Sequence, residues 1–133
     1  MHIFWFICER KINKKNLILI VDDEEEIRLL LKEFLEKNNF DVIVAEDGQQ
    51  ALKLAGEHIP DLVITDMLLP KEHGVYVMQA IKDRHFLPII AISGIYNKNE
   101  IIDKVDDVYI DGFFEKPLNL DEILLCIHSI LNG

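Results

Sequence analysis

From Leu17 onward, short apolar runs alternate with segments of helical periodicity, and this alternation constrains the fold more than any other feature. The apolar runs lie at 17–21, 42–45, 62–65, 89–92 and 112–115. Strands rich in Ile, Val and Leu that alternate with helices form parallel sheets with right-handed crossovers and helices on both faces. The sequence therefore predicts a single α/β domain over residues 17–133, built on a five-stranded doubly wound parallel sheet in (βα)5 order.

Helical segments are predicted between these strands from apolar spacing and capping residues. One core-facing stripe is formed by Ile27, Leu30, Leu31, Phe34 and Leu35. Asp47 and Gln50 have the spacing of a capping box, which opens a short helix that is predicted to end at Gly56. Asn119 and Glu122 form a second capping box. Further helices are predicted over 74–83, 100–105 and 119–131.

Carboxylates follow two of the predicted strands. Asp22 and Asp23 come directly after the first apolar run, and Asp66 comes directly after the third. Because the carboxyl ends of parallel strands meet at one edge of the sheet, we expect these three acids to lie close together. Two unit charges about 4 Å apart repel by about 4 kcal/mol at an effective dielectric of about 20. A divalent cation such as Mg²⁺ would turn that repulsion into binding, since it takes carboxylate oxygens as ligands.

Two further polar residues leave strands at the same predicted edge. Ser93 follows the fourth apolar run, and Lys116 follows the fifth. A carboxylate can act as a nucleophile, and phosphoryl transfer needs a nucleophile, a metal ion and groups that contact the equatorial oxygens. In that chemistry Asp66 is the candidate nucleophile, Asp22 and Asp23 are the metal ligands, and Lys116 and Ser93 contact the phosphoryl oxygens.

Over residues 17–131 the chain resembles the receiver domain of two-component response regulators. The likeness rests on Ile20-Val21-Asp22-Asp23, Val63-Ile64-Thr65-Asp66-Met67-Leu68-Leu69-Pro70 with Gly74, Ala91-Ile92-Ser93-Gly94, Phe113-Phe114-Glu115-Lys116-Pro117, and Ala45-Glu46-Asp47-Gly48. The resemblance implies a flavodoxin-like receiver fold. It also implies that Asp66 accepts a phosphoryl group from the phosphohistidine of a histidine kinase. Mg²⁺, or Mn²⁺ in its place, would be bound by Asp22, Asp23, Asp66 and the backbone carbonyl of Leu68.

The resemblance also implies a switching mechanism. Ser93 and Lys116 would hold the phosphoryl group, and Phe113 would occupy the aromatic switch position, where the family commonly has Tyr. The Lys116–Pro117 peptide bond would be cis. The surface that responds would consist of helix 99–105, strand 112–115 and helix 119–131, and Leu125 and Ile130 suggest a partner or dimer face on the last helix.

The partners implied are a histidine kinase or phosphotransfer protein, a downstream protein or output domain, and a second copy of the chain through the responsive surface. The chain is expected to undergo self-phosphorylation and self-dephosphorylation without being a turnover enzyme. Residues 1–16 carry a net charge of +3 and are predicted to be an N-terminal extension outside the domain. The remainder carries −13, which disfavours direct binding to nucleic acid.

The expected location is the cytoplasm. Cys8 and Cys126 are too few for a disulfide framework, and the apolar opening at 1–8 is far shorter than the roughly 20 residues of a membrane span. Whether the chain is a stand-alone receiver or a domain of a longer regulator is left open by the sequence.

Alternative functions differ at particular positions. A receiver that acts only as a phosphorylation-independent interaction module is the main alternative. A phosphatase of the aspartate-nucleophile superfamily would carry a second acid two residues after Asp66, where this chain has Leu68. A flavodoxin-like nucleotide binder would have a phosphate loop rich in Gly, Ser and Thr where Asp22 and Asp23 stand. The acidic run Glu24–Glu26 is predicted to be a solvated helix start, which the helix dipole favours.

Overall fold

The computed structural model of the chain describes residues 15–67, 74–94 and 110–132. Its strands are β1 Leu17–Val21, β2 Asp41–Ala45, β3 Leu62–Asp66, β4 Ile89–Ser93 and β5 Gly112–Glu115. Its helices are α1 Glu25–Lys37, α2 Gly48–His58, α3 Gly74–His85 and α4 Leu120–Asn132. All neighbouring strands pair in parallel, in the order β2-β1-β3-β4-β5, which confirms the predicted doubly wound sheet. The helix predicted at 100–105 lies outside the described residues.

The sheet is buried on both faces because successive side chains of each strand point to opposite sides. Leu19 and Val21 of β1 pack with apolar residues of α2 and α3, whereas Ile18 and Ile20 pack with those of α1 and α4. All four side chains are fully buried, and burial of one aliphatic side chain of this size stabilises the fold by about 1.5–3 kcal/mol. These two apolar layers hold the strand ends in fixed positions.

Helix α1 is oriented differently from the predicted stripe. Leu31 and Leu35 are fully buried, but Leu30 is 43% exposed, so its predicted core position is wrong. With 3.6 residues per turn, Leu31 and Leu35 lie about 40° apart around the helix, whereas Leu30 lies about 100° from Leu31 on the far side. The contact with the sheet is centred on Leu31 and Leu35, and Leu30 therefore falls outside it.

The predicted capping box of α2 is present with its register altered by one residue. The Asp47 carboxylate accepts a hydrogen bond from the Gln50 backbone N–H at 2.9 Å. The Gln50 side chain reaches back to accept from the Glu46 N–H at 2.8 Å, one residue before the expected partner. The second box is present in one half, since the Asn119 side chain accepts from the Glu122 N–H at 3.1 Å.

The predicted end of α2 at Gly56 is wrong. The helix continues to His58, and Ile59 takes the left-handed conformation that ends it, with φ of 47°. A β-branched residue is unfavourable in this conformation. Gly56 thus remains helical in the last turn of α2, and the strained left-handed position is Ile59, three residues later.

Strand β5 and helix α4 approach closely at Gly112. A Cβ atom at this position would lie 2.8 Å from the Cys126 Sγ atom, so glycine permits the contact. Burial raises the pKa of the Cys126 thiol, and the nearby Asp111 charge adds to the effect. Among the helices of the described residues, none combines the length and apolar content that a membrane crossing requires.

Candidate functional site

The carboxyl ends of β1, β3, β4 and β5 bring the predicted site residues to one edge of the sheet. Strand register aligns Val21 with Thr65 and Asp66 with Ile92, and β5 continues the same edge. The residues that follow these strand ends are therefore neighbours in space. Asp22, Asp66 and Ser93 are buried, although they are polar. The Lys116 backbone N–H donates to the Ser93 carbonyl at 2.8 Å, which fixes the start of the loop after β5.

Lys116 is the centre of the site. Its Nζ atom lies 2.7 Å from Glu24 Oε1, 3.1 Å from Asp22 Oδ2 and 3.2 Å from Asp66 Oδ2. Burial alone disfavours the ammonium, but the close contacts with the carboxylates of Glu24 and Asp22 and the charge of Asp66 outweigh it. The pKa of Lys116 is consequently raised above its ordinary value, and the side chain is a cation at neutral pH.

The Asp22 carboxylate is fully buried, and only one of its two oxygens accepts a hydrogen bond. Its Oδ1 accepts from the Glu24 N–H at 2.8 Å. Its Oδ2 is within ion-pair distance of Lys116 but has no hydrogen-bond partner among the described residues. Burial raises the pKa of Asp22 to about 6, and the charge of Asp66 adds to this, while the Glu24 N–H and Lys116 act in the opposite direction.

The acids at this edge could hold a metal ion. Asp22, Asp23, Glu24 and Asp66 each place one carboxylate oxygen within 4.8 Å of the others. Hard divalent cations take such oxygen ligands, and the buried Asp22 Oδ2 without a hydrogen bond is suited to one. The donor set therefore fits the predicted cation. Leu68, whose carbonyl is a predicted ligand, lies outside the described residues.

Glu24 is 56% exposed at the start of α1, as predicted for a solvated helix start, and its carboxylate also contacts a predicted site residue. The Asp22 side chain binds the Glu24 N–H and turns the chain, and the Glu24 carboxylate then contacts Lys116. A short polar side chain that binds the backbone two residues later was the one available sequence signal for this turn. The contact to Lys116 spans 92 residues and has no local signature.

Arg28 was also missed by sequence reasoning. Its Nη1 atom donates to the Asp22 backbone carbonyl at 2.8 Å, and its Nη2 lies 3.7 Å from Glu46 Oε1. Arg28 is four residues after Glu24, so the two lie on the same side of the first turn of α1. The guanidinium thereby ties α1 to the loop that carries the acids.

The predicted responsive surface is only partly described. Phe113 is partly buried and packs against the apolar layer that contains Leu19. The Lys116–Pro117 peptide bond is cis, as predicted. On α4, Leu125 is 70% exposed, whereas Ile130 is partly buried and packs against the core, so Leu125 is the more accessible of the two. The helix predicted at 99–105 lies outside the described residues.

Comparisons with known proteins identify the same family in sequence and in fold. Residues 18–128 match the family model described as the response regulator receiver domain. The transcriptional regulatory protein CpxR of Escherichia coli (strain K12) is 38% identical over 118 residues, which cover 87% of this chain and 49% of CpxR. The alkaline phosphatase synthesis transcriptional regulatory protein PhoP of Bacillus subtilis (strain 168) is 38% identical over 122 residues, which cover 90% of this chain and 49% of PhoP. The chain thus spans about half the length of these relatives.

Solved structures show the same fold. The signal receiver domain of an HD domain-containing protein from Pseudomonas fluorescens Pf-5 superposes with a TM-score of 0.83 and 27% identity, covering 90% of this chain and 96% of that one. The chemotaxis response regulator CheY4 of Vibrio cholerae superposes with a TM-score of 0.80 and 25% identity, covering 88% of this chain and 99% of that one.

Proposed function

The chain belongs to the response regulator receiver domain family, and from this membership we propose that Asp66 is its phosphoryl acceptor. One observation carries the proposal: the buried Asp66 carboxylate lies 3.2 Å from the Lys116 ammonium at the acidic edge of the sheet. A nucleophile and a cation at this distance are two of the parts that phosphoryl transfer uses.

In the proposed reaction, an Asp66 oxygen attacks the phosphorus of a phosphohistidine. The O–P bond forms as the P–N bond breaks, and the imidazole nitrogen keeps the electron pair of the broken bond. The product is an acyl phosphate on Asp66. Lys116 and Ser93 contact the phosphoryl oxygens and stabilise the charge that is spread over them in the transition state.

The proposed cofactor is Mg²⁺, with Mn²⁺ as an alternative, bound by Asp22, Asp23, Asp66 and the carbonyl of Leu68. Once bound, the cation would neutralise the carboxylates and the phosphoryl oxygens, which otherwise repel each other. Support comes from the oxygen-only donor set and from the buried Asp22 Oδ2 without a hydrogen bond. Asp22 and Asp23 would thus bind the cation, and Asp66 would both bind the cation and form the bond to phosphorus.

Signalling is proposed to follow from the charge that phosphorylation adds, about −1.5 to −2 at neutral pH. Lys116 and Ser93 would move toward that charge. Because Lys116 and Phe113 are on or next to β5, this movement would reach the Phe113 ring and the surface formed by 99–105, 112–115 and 119–131. The exposed Leu125 supports a protein contact there, including a homodimer.

The proposed phosphoryl donor is a histidine kinase or phosphotransfer protein, and the recipient of the signal is a downstream protein or output domain. The relatives named as transcriptional regulators are about twice as long as the matched region, and this length supports an output domain as the recipient. The start of β1 at Leu17 supports a domain boundary after residue 16. A cytoplasmic location remains a prediction. No described contact favours the phosphorylation-independent alternative.

The test is incubation of the chain with Mg²⁺ and acetyl phosphate, followed by mass spectrometry of the intact protein. We expect one added phosphoryl group in the wild type and in Asp41→Asn, whose carboxylate is exposed at the opposite end of the sheet. Asp66→Asn should remain unmodified, and EDTA should prevent the reaction in every variant. Absence of the adduct in the wild type, or its persistence in Asp66→Asn, would contradict the proposal.

A further inference from the structure

We propose that Glu24 is a positioning residue that holds the Lys116 ammonium until a phosphoryl group replaces it, and that it thereby limits the rate of Asp66 phosphorylation. This inference rests on the proposed function. It concerns an acid that lies within 4.8 Å of the proposed carboxylate metal ligands but is not itself among them or the acceptor. The Glu24–Lys116 contact, at 2.7 Å, is the shortest that the Lys116 Nζ atom makes with the three acids around it.

The first argument is the number of donors on Lys116. An ammonium carries three N–H groups, and this one donates to Glu24 at 2.7 Å and to Asp66 at 3.2 Å while Asp22 Oδ2 lies within ion-pair distance at 3.1 Å. A phosphoryl oxygen that approaches Lys116 therefore competes with these carboxylates for contact with Nζ. Movement of Nζ toward the phosphoryl group weakens whichever of these contacts is released most readily.

The second argument identifies which partner is exchanged. Loss of Lys116 would leave Asp22 as a fully buried charge without compensation, which is strongly unfavourable. Asp66 carries the phosphoryl group itself, so Lys116 stays beside it. The Glu24 side chain is 56% exposed, and water can solvate its carboxylate after release. Glu24 is thus the acid that gives way.

The Glu24–Lys116 contact lowers the fraction of molecules in which Lys116 can contact the incoming phosphoryl group. Apparent affinity falls in proportion to the competent fraction. Exposed ion pairs shift such fractions by about two- to fivefold. Removal of the Glu24 charge should therefore raise the phosphorylation rate by a factor in this range, beyond the effect of lost negative charge in general.

The experiment compares Glu24→Gln with Glu25→Gln. Glu25 is the next residue, is exposed, and lies in the first turn of α1, so its substitution removes the same charge from the same region. The first measurement is acylation of Lys116 by N-hydroxysuccinimidyl acetate in EDTA, followed by peptide mass spectrometry. The second is the initial rate of phosphorylation by acetyl phosphate at saturating Mg²⁺, and the third is the Mg²⁺ concentration for half-maximal stabilisation against urea.

We expect both rates to be about two- to fivefold higher in Glu24→Gln than in Glu25→Gln, with similar Mg²⁺ requirements. Equal rates in the two variants, or faster acylation without faster phosphorylation, would overturn the proposal. Slower phosphorylation together with a higher Mg²⁺ requirement would show that Glu24 is a metal ligand, which also overturns it. If the wild type is not phosphorylated, the proposed function fails, and the acylation comparison alone decides whether Glu24 holds Lys116.

Discussion

Substitution of Asp22 by Asn should make the metal-free protein more stable while it removes the response to Mg²⁺. Asp22 is fully buried, and its pKa is raised from 3.8 to about 6, chiefly by burial. At neutral pH the folded protein therefore contains an ionised carboxylate in an unfavourable environment. Asn has nearly the same shape and no charge, so it removes this penalty.

The magnitude follows from the shift. About two pKa units correspond to about 3 kcal/mol at 1.36 kcal/mol per unit. The neighbouring Asp23 and Glu24 are exposed, so solvent screens this edge, and about 1–2 kcal/mol is the expected gain in the free energy of unfolding.

The pH dependence has a definite sign. A raised carboxyl pKa means that the folded state binds the proton more tightly than the unfolded state. The associated stability is fully present below pH 3.8 and is lost as the pH rises through about 6. The advantage of Asp22→Asn over the wild type should consequently be small near pH 4 and reach its full value above pH 7.

The assay is urea unfolding in EDTA at several pH values between 4 and 8, with Asp41→Asn as the matched control for an exposed aspartate. Repetition with Mg²⁺ should raise the midpoint of the wild type and of the control but leave that of Asp22→Asn unchanged, because ligand binding stabilises the folded state by mass action. The reasoning is refuted if Asp22→Asn is less stable than the wild type at pH 7 in EDTA, or if the difference does not vary with pH.

Two further substitutions test the loop that follows β1 and the end of α2. Arg28→Met should lower the free energy of unfolding by about 1–2 kcal/mol, because it leaves the Asp22 carbonyl without its donor. The control Lys32→Met, on the same helix, should change this free energy by less than about 0.5 kcal/mol, and urea unfolding measures both. Equal losses would contradict the role of Arg28. Ile59→Gly should raise the melting temperature and increase the free energy of unfolding by about 0.5–1 kcal/mol. Relief of the strain at the left-handed Ile59 backbone exceeds the cost of the extra freedom that glycine gives the unfolded chain, and little packing is lost because the Ile59 side chain is 67% exposed. Ile59→Ala keeps the Cβ atom and should gain less; a loss of stability in Ile59→Gly would exclude strain at this position.

The sheet and most of the site could be predicted because they depend on local and additive signals. A run such as Leu17–Val21 can be buried on both faces only inside a parallel sheet, and the first polar residue after each run then lies at a known edge. Asp22, Asp66, Ser93 and Lys116 followed from this rule alone. The rule needs no knowledge of side-chain conformation.

The parts that failed depend on the direction in which an element faces its neighbours. Leu30 has the spacing of a core residue, but the rotation of α1 about its axis is set by packing against the sheet. Gly56 has the character of a helix terminator, but the last turn of α2 is stable enough to include it. Glu24 meets Lys116 only after β5 has joined the sheet, and Arg28 meets the Asp22 carbonyl only after the loop following β1 has folded back on α1.

The long sequence separation of the Lys116 contacts has a consequence for the order of folding. Asp22 and Asp66 are synthesised well before Lys116, and the domain emerges from the N-terminus at about 5–20 residues per second. Until β5 docks on β4, Asp22 after β1 and Asp66 at the end of β3 repel each other without the Lys116 cation. Docking of the last strand thus relieves an electrostatic penalty as well as completing the sheet, because it brings Lys116 beside Asp22 and Asp66. In the proposed function, phosphorylation of Asp66 would therefore report that β5 has joined the sheet.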